Sequence, residues 1–175
     1  MAESKVFFYV GVFGIPAKLV NGVIKIKCNV RTDQEKQREI AQLPSESKIL
    51  LVDCPGGAVK HGDESLDQAM NREIGEETGG CQVQPLTLGF FAPLELMGKR
   101  LAPYDLAFWK PIILIGQPKP SDEASDHVWL SRQELETGDK YRPVSGLGLA
   151  GRTGRMMIAA LNYFESRTHM LEIFS

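Results

Sequence analysis

The most informative segment of this 175-residue chain is residues 56–79, GGAVKHGDESLDQAMNREIGEETG. Its second half predicts a helix from about Ser65 to Glu77, which ends at Gly79 in the position that favours a left-handed cap. The pair Gly56-Gly57 precedes this helix as a turn, where the missing side chains allow close backbone approach. The segment therefore predicts a glycine turn that leads into a single helix.

Three carboxylates fall on one face of the predicted helix. Spaced at i, i+3 and i+4, they share one sector of a helix that advances about 100° per residue: Glu73, Glu76 and Glu77. The same sector is apolar one and two turns earlier, at Leu66, Ala69 and Met70. The carboxylates should therefore emerge at the rim of the core, beside the glycine turn.

A solvated acidic face is the plain structural alternative, and it fits poorly. Acidic residues in a last helical turn oppose the helix dipole, and like charges at these spacings repel. Gly75 costs roughly another 1 kcal/mol relative to Ala. A divalent cation would reverse the two electrostatic penalties. Clustered carboxylates with few neighbouring His or Cys favour a hard ion, Mg²⁺ or Mn²⁺, and such an open site suits hydrolysis of a phosphoric anhydride.

The segment resembles the signature of the Nudix hydrolases, G-x5-E-x7-R-E-U-x-E-E-x-G-U, in which U is a bulky apolar residue. The match is complete from Glu64 to Gly79, and Pro55-Gly56-Gly57 is similar to the family's lead-in. Two departures occur. One extra residue separates Gly57 from Glu64, as though Asp63 were inserted, so Asp63 could replace Glu64; and Gly80 stands where an apolar residue is usual.

The resemblance implies a role for each residue of the signature. Glu76 and Glu77 would be the principal metal ligands, together with the carbonyl of Gly56. Glu73 would be a further ligand or would orient the attacking water. Glu64 would reach the same cluster from the loop. Arg72 would be structural and would pair with a loop carboxylate such as Glu64.

The resemblance also implies a remote glutamate before a Trp-containing strand. Glu123 precedes Trp129 by six residues and is the candidate for an additional ligand or the general base. A solvated loop charge is the rival interpretation, because Asp122 and Asp126 are alternatives. The family cleaves phosphoanhydrides in nucleoside diphosphates linked to another group, so the expected substrate is ADP-ribose, a nucleotide sugar or a nucleoside triphosphate.

The sequence says less about how a substrate is bound. Candidate contacts are Arg31, Arg100 and Phe91, although such basic residues are more often surface charges and aromatic residues are more often buried in a core or an interface. No partner for His127 is evident. A non-catalytic nucleotide- or protein-binding module on the same fold is the alternative function. Its mark would be loss of the Arg-Glu or Glu-Glu pairs, and Arg72-Glu73 and Glu76-Glu77 are both kept.

Composition limits the remaining classes of function. With 43% hydrophobic residues and only three cysteines, the chain is neither disordered nor a disulfide scaffold. Twenty basic against 22 acidic residues give a net charge of −2, so no nucleic-acid polymer is expected as partner. No apolar run approaches the roughly 18 residues of a membrane span. We expect buried thiols, no membrane partner and a cytoplasmic location; a homodimer is plausible.

Local patterns predict one mixed α/β domain over residues 1–175. Strands over 6–30 include a hairpin at Asn21-Gly22, in whose second arm Ile24 and Ile26 alternate with Lys25 and Lys27. Further predicted elements are a short helix at 34–42, strands at 49–52, 81–91, 104–115 and 127–130, a capping box at 131–134 and a final helix. Pro111 predicts an edge or a break in its strand. The resemblance implies an α/β/α sandwich with a mixed sheet between helices.

Overall fold

The computed structural model describes residues 10–63, 65–87, 89–93, 95–96, 99–100, 106–144 and 148–173, with the backbone alone at 40, 92–93, 95–96 and 99–100. The strands are β1 Val10–Val20, β2 Val23–Arg31, β3 Leu50–Asp53, β4 Gly56–Ala58, β5 Gln82–Pro85, β6 Phe90–Pro93, β7 Glu95–Leu96, β8 Lys99–Arg100, β9 Leu106–Ile115, β10 Ala124–Ser131 and β11 Tyr141–Pro143. The helices are α1 Gln34–Ile40, α2 Leu66–Thr78, α3 Arg132–Thr137, α4 Arg152–Glu165 and α5 Thr168–Ile173. The predicted start of the first strand, residues 6–9, lies outside the described residues, as does Glu64.

The first hairpin organises the sheet. Asn21 and Gly22 have φ values of 51° and 78°, which confirms the predicted two-residue turn. β1 pairs with β2 along its second half, with β4 along its first half and with β9 on its other side. The β1–β9 and β3–β11 pairs are parallel and the other pairs are antiparallel, so the sheet is mixed as expected.

Two helices pack on this sheet, and each covers its own apolar cluster. α2 packs against β1, β4 and β5, where Val12, Met70 and Ile112 are fully buried. α4 packs against β1, β2 and β9, and its apolar face is fully buried at Met157, Ala160, Leu161 and Phe164. Each large apolar side chain buried in this way contributes roughly 1.5–3 kcal/mol. The expected sheet flanked by helices is confirmed.

Three predictions about strands need correction. Pro111 neither ends nor breaks β9, which lies inside the sheet; instead, the partner strand changes there, from β6 at Leu106–Trp109 to β5 at Ile112–Ile115. The strand predicted over 81–91 is divided into β5 and β6. The strand predicted over 127–130 is longer, because β10 follows β2 as far as Ala124.

The predicted helix boundaries are confirmed. Ser65 caps α2 by accepting a hydrogen bond from the Gln68 N–H, and Gly79 closes the helix with a left-handed φ of 67°. Ser131 and Glu134 form the predicted capping box at α3. Among the described residues, no helix is long and apolar enough to cross a bilayer. Cys28, Cys54 and Cys81 are buried free thiols, as expected.

Candidate active site

A cleft of about 400 Å³ lies between the end of α2 and the loop that precedes β10. Its lining is mostly acidic: Glu73, Glu76, Glu77, Gly79, Pro120, Ser121, Asp122 and Glu123. The three glutamates of the helix therefore share one cleft with Glu123. Asp122, one of the alternatives to Glu123, also lines it. Asp126 is instead in β10, where its carboxylate accepts a hydrogen bond from the His127 N–H at 2.7 Å.

Glu77 is the most buried of these carboxylates, with 5% of its surface exposed. Its Oε2 accepts hydrogen bonds from the Gly56 N–H at 2.7 Å and from Asn29 Nδ2 at 2.9 Å. The pKa of Glu77 is raised to about 8, chiefly by burial and also by the charges of Asp53 and Glu123, while the hydrogen bond from Gly56 opposes the rise. A bound cation would offset this unfavourable environment.

The two glycines before α2 are required by close contacts. Gly56 has a φ of 143°, and a Cβ there would lie 2.7 Å from the Cα of Phe13 in the paired strand β1. At Gly57, a Cβ would lie 2.6 Å from the carboxyl carbon of Glu73. The turn therefore brings its backbone against β1 and leaves the room that the Glu73 carboxylate occupies.

Arg72 ties the signature loop to α2, but through Asp63. Its Nε and Nη2 donate to Oδ1 and Oδ2 of Asp63 at 3.1 and 2.9 Å, and Nη2 also donates to the carbonyl of Ala58 at 3.0 Å. The hydrogen bonds from Arg72, followed by that from the Lys60 N–H, lower the pKa of Asp63 to about 2. Arg72 thus pairs with the loop carboxylate Asp63, while Glu64 lies outside the described residues.

Glu73 and Glu76 are held by cationic side chains. Lys60 Nζ lies 3.5 Å from Oε1 of Glu73 and 3.3 Å from Oε2 of Glu76. Arg72 Nη1 contacts the same two oxygens. The side chain of Glu76 is 53% exposed, whereas that of Glu73 is buried beside Gly57.

The donor set has the chemistry of a hard-cation site. Within the described ranges, no three His, Cys, Asp or Glu side chains already converge closely enough to hold one ion. Five carboxylate residues nevertheless line one cleft: Glu73, Glu76, Glu77, Asp122 and Glu123. Carboxylate oxygens without His or Cys are the ligands that Mg²⁺ and Mn²⁺ prefer, so the residues fit either ion.

The candidate substrate contacts are dispersed. Arg31 donates from Nε to Oδ1 of Asp33 at 3.0 Å and lies close enough for its charge to act on Glu123. Phe91 is 59% exposed on β6, with its ring 5.1 Å from that of Phe108. The side chain of Arg100 lies outside the described residues. Neither Arg31 nor Phe91 lines the carboxylate cleft.

Sequence reasoning missed three polar residues behind the cleft. Lys27 is fully buried, and its Nζ donates to Oδ1 of Asn29 at 2.7 Å. His127 does have partners: Nδ1 lies 3.0 Å from the same oxygen, and Nε2 lies 2.7 Å from the carbonyl of Lys119. Burial lowers the pKa of Lys27 to about 8. The available signal was the alternation of polar residues along β2, at positions 25, 27, 29 and 31.

Comparison with known proteins identifies a family for this chain. A family model described as NUDIX domain matches residues 34–145, which is more than half of the chain and includes the glycine turn, α2 and the Glu123 loop. No curated protein sequence gives a significant match.

Solved structures give many matches to the fold. The NUDIX domain of Shewanella oneidensis NrtR, in complex with ADP-ribose, is 13% identical with a TM-score of 0.56; the match covers 91% of this chain and 90% of that one. An ADP-ribose pyrophosphatase from Streptococcus suis is 16% identical with a TM-score of 0.53, over 90% and 92%. An Ap4A hydrolase from C. elegans is 14% identical with a TM-score of 0.54, over 92% and 98%. At these identities the likeness concerns the fold.

Proposed function

Since this chain belongs to the NUDIX family, we propose that it is a metal-dependent hydrolase that cleaves a phosphoanhydride bond. One observation carries the proposal: the carboxylates of Glu73, Glu76, Glu77 and Glu123 line a single cleft. A bare cluster of this kind is electrostatically unfavourable, as the raised pKa of Glu77 illustrates. A bound cation would offset the repulsion among these carboxylates and would also neutralise the phosphate oxygens of a substrate.

The proposed substrate is a nucleoside diphosphate linked to another group. ADP-ribose, a nucleotide sugar and a nucleoside triphosphate share the phosphoanhydride that such a site would bind. The names of the structural relatives support this class, because two of the three concern ADP-ribose and the third concerns Ap4A. Substrate contacts from Arg31, Arg100 and Phe91 remain part of the proposal, as does a cytoplasmic location.

The proposed mechanism gives each carboxylate a task. Glu76 and Glu77 would be the principal ligands of Mg²⁺ or Mn²⁺ with the Gly56 carbonyl, and Glu73 would be a further ligand or orient the water. The bound ion would neutralise the phosphate oxygens and lower the pKa of the attacking water. Glu123 would accept a proton from the attacking water. The water oxygen would bond to phosphorus as the bridging P–O bond breaks. Arg72 would keep the signature loop on α2 through Asp63.

The test is a product assay on ADP-ribose, nucleotide sugars, nucleoside triphosphates and dinucleoside polyphosphates, with Mg²⁺, Mn²⁺ or a chelator. We expect turnover of one substrate class, its loss with the chelator and its return with either ion. Solvent ¹⁸O in one product half identifies the phosphorus that is attacked.

Three substitutions assign the activity to the cleft. Glu76→Gln should lower kcat by at least about a hundredfold and Glu123→Gln by at least about tenfold, because each removes a charged oxygen from the site. Glu136→Gln on α3, which alters an exposed carboxylate outside the cleft, is the control and should match the wild type. Nucleotide binding without turnover across the panel would instead identify a binding module.

A further inference from the structure

A buried lysine lies behind the acidic cleft, in strand β2. Lys27 is fully buried, Asn29 is 2% exposed and Glu77 is 5% exposed. Lys27 Nζ donates to Oδ1 of Asn29 at 2.7 Å, and Nδ2 of Asn29 donates to Oε2 of Glu77 at 2.9 Å. The three side chains therefore form a continuous chain of hydrogen bonds from the core to the cleft.

Stability alone does not explain a lysine at this position. Burial of an ammonium group is costly unless a carboxylate pairs with it directly. Among the described residues, no carboxylate lies within ion-pairing distance of Lys27, and its hydrogen bond goes to a neutral amide. A lysine kept under these conditions points to a role in the site that it adjoins.

The chemistry of the lysine determines how the Asn29 amide is oriented. An ammonium group can only donate, so the amide oxygen of Asn29 must face Lys27. The NH₂ group of Asn29 then faces Glu77, where it donates to Oε2. Without Lys27, the amide could turn over and direct its oxygen at the Glu77 carboxylate, which would repel it.

The same amide oxygen is also contacted by His127 of β10, the strand that follows the loop on the other side of the cleft. Nδ1 of His127 lies 3.0 Å from Oδ1 of Asn29, and Nε2 lies 2.7 Å from the carbonyl of Lys119, next to the cleft-lining Pro120. Asn29 thus links the end of α2 to the segment that carries Glu123. One polar group in β2 connects both walls of the cleft.

Both hydrogen bonds to Glu77 from the described residues end on Oε2, one from Asn29 and one from the Gly56 N–H. Oε1 is then the oxygen available to an ion. We propose that Lys27 is a positioning residue: by orienting the Asn29 amide, it holds Oε2 of Glu77 and presents Oε1 for a divalent cation. This inference rests on the proposed function. Outer residues that orient a metal ligand typically change metal affinity or activity by about 10–100-fold.

The test measures Mn²⁺ affinity of the full chain by electron paramagnetic resonance, together with kcat and KM on the best substrate. Lys27→Met removes the ammonium group and keeps nearly the same side-chain length. We expect Mn²⁺ to bind at least about tenfold more weakly and kcat to fall comparably, while KM for the nucleotide changes less than about twofold. Lys25→Met is the matched control, because Lys25 is in the same strand but pairs with Glu134 away from the cleft; it should match the wild type.

A double-variant cycle separates positioning from general loss of packing. Asn29→Ala alone should weaken Mn²⁺ binding, and adding Lys27→Met to it should weaken binding no further, because Lys27 acts through Asn29. Additive losses would overturn the inference. Circular dichroism and thermal unfolding check the fold, and Lys27→Gln replaces Lys27→Met if the latter does not fold, since a glutamine amide cannot enforce one orientation.

The outcomes distinguish this inference from the proposed function. If the wild type binds Mn²⁺ and turns over substrate, but Lys27→Met does both equally well, the inference fails alone. If the wild type neither binds Mn²⁺ nor hydrolyses any substrate, the proposed function fails and the inference with it.

Discussion

The surroundings of Glu77 disfavour its ionised form. It is buried, it faces the negative end of its helix, and the charges of Asp53 and Glu123 act on it. The hydrogen bonds from Gly56 and Asn29 compensate only in part, because the pKa still rises to about 8. Without a cation, the folded protein therefore holds a proton at Glu77 that the unfolded chain would release.

This difference predicts how pH affects the stability of the metal-free protein. The unfolded chain releases the Glu77 proton near the ordinary value of 4.5 and the folded protein near 8, so the free energy of unfolding should fall as pH rises between them. Lys27 begins to titrate only at the upper end of this range, because its lowered pKa is about 8. Glu77→Gln should remove the effect of Glu77, since the amide oxygen can accept the same two hydrogen bonds.

Denaturant unfolding in the presence of a chelator measures the prediction. From pH 5 to pH 8, the stability advantage of Glu77→Gln over the wild type should grow by roughly 2–4 kcal/mol. A gap that stays constant with pH would show that Glu77 is ionised in the folded protein without a metal.

The signature loop shows what residue-level reasoning could not predict. Asp63 and Glu64 are consecutive acids, and spacing alone left open which of them serves the loop. The structure pairs Asp63 with Arg72 through two hydrogen bonds and with the Lys60 N–H through a third. The pairing of Asp63 with Arg72 depends on the path of the turn from Lys60 to Asp63, which no pairwise spacing determines.

At the scale of elements, α2 combines good local signals with one residue that weakens it. The cap at Ser65 and the stop at Gly79 were predictable because both depend on neighbouring residues. Gly75 is a poor helix former, yet a Cβ at that position would meet no atom within 4 Å. Packing against the described residues therefore does not require a glycine there.

Gly75→Ala should consequently stabilise the protein by about 0.5–1 kcal/mol, which corresponds to roughly 1–4 °C in Tm. Gly154→Ala in α4 is the matched control, because a Cβ there would lie 2.5 Å from the carbonyl oxygen of Gly148 and should lower Tm. Calorimetry on both variants measures the difference. Equal destabilisation by the two substitutions would mean that the glycine of α2 is needed by the fold itself.

Strands were harder to predict than helices, because their limits depend on partners far away in sequence. The first hairpin was predictable from Asn21-Gly22, a local signal. The prediction for Pro111 was wrong because β9 pairs with β6 before this residue and with β5 after it. A proline is tolerated at the point where the partner strand changes. Local sequence preferences indicate which conformation a residue favours, whereas pairing with other strands determines where a strand begins and ends.

At the scale of the whole molecule, the cleft exists because separate elements meet. The end of α2 supplies three glutamates, the loop before β10 supplies Glu123, and β2 supplies Asn29 beneath them. Spacing predicted the first group, resemblance predicted the second, and neither predicted the third. The buried chain from Lys27 to Glu77 depends on tertiary structure, because it joins a side chain of β2 to one at the end of α2.

A site of this kind should link ion binding to the stability of the entire chain. A ligand that binds only the folded state at a hundred times its Kd adds about 2.7 kcal/mol to the free energy of unfolding. For a domain of this size, Mg²⁺ or Mn²⁺ should then raise Tm by roughly 5–10 °C. The rise should be larger at pH 6 to 8 than below pH 5, because ionised carboxylates bind the ion.

Scanning calorimetry with increasing Mg²⁺, at ionic strength kept constant with KCl, measures this effect. The doubly substituted Glu76→Gln, Glu77→Gln protein should lose most of the increase, because the two carboxylates that carry the proposed ligand oxygens are gone. Glu136→Gln should keep all of it, since that side chain is on α3 outside the cleft. If the doubly substituted protein is stabilised by Mg²⁺ as strongly as the wild type, the ion binds elsewhere, and the acidic end of α2 needs another explanation.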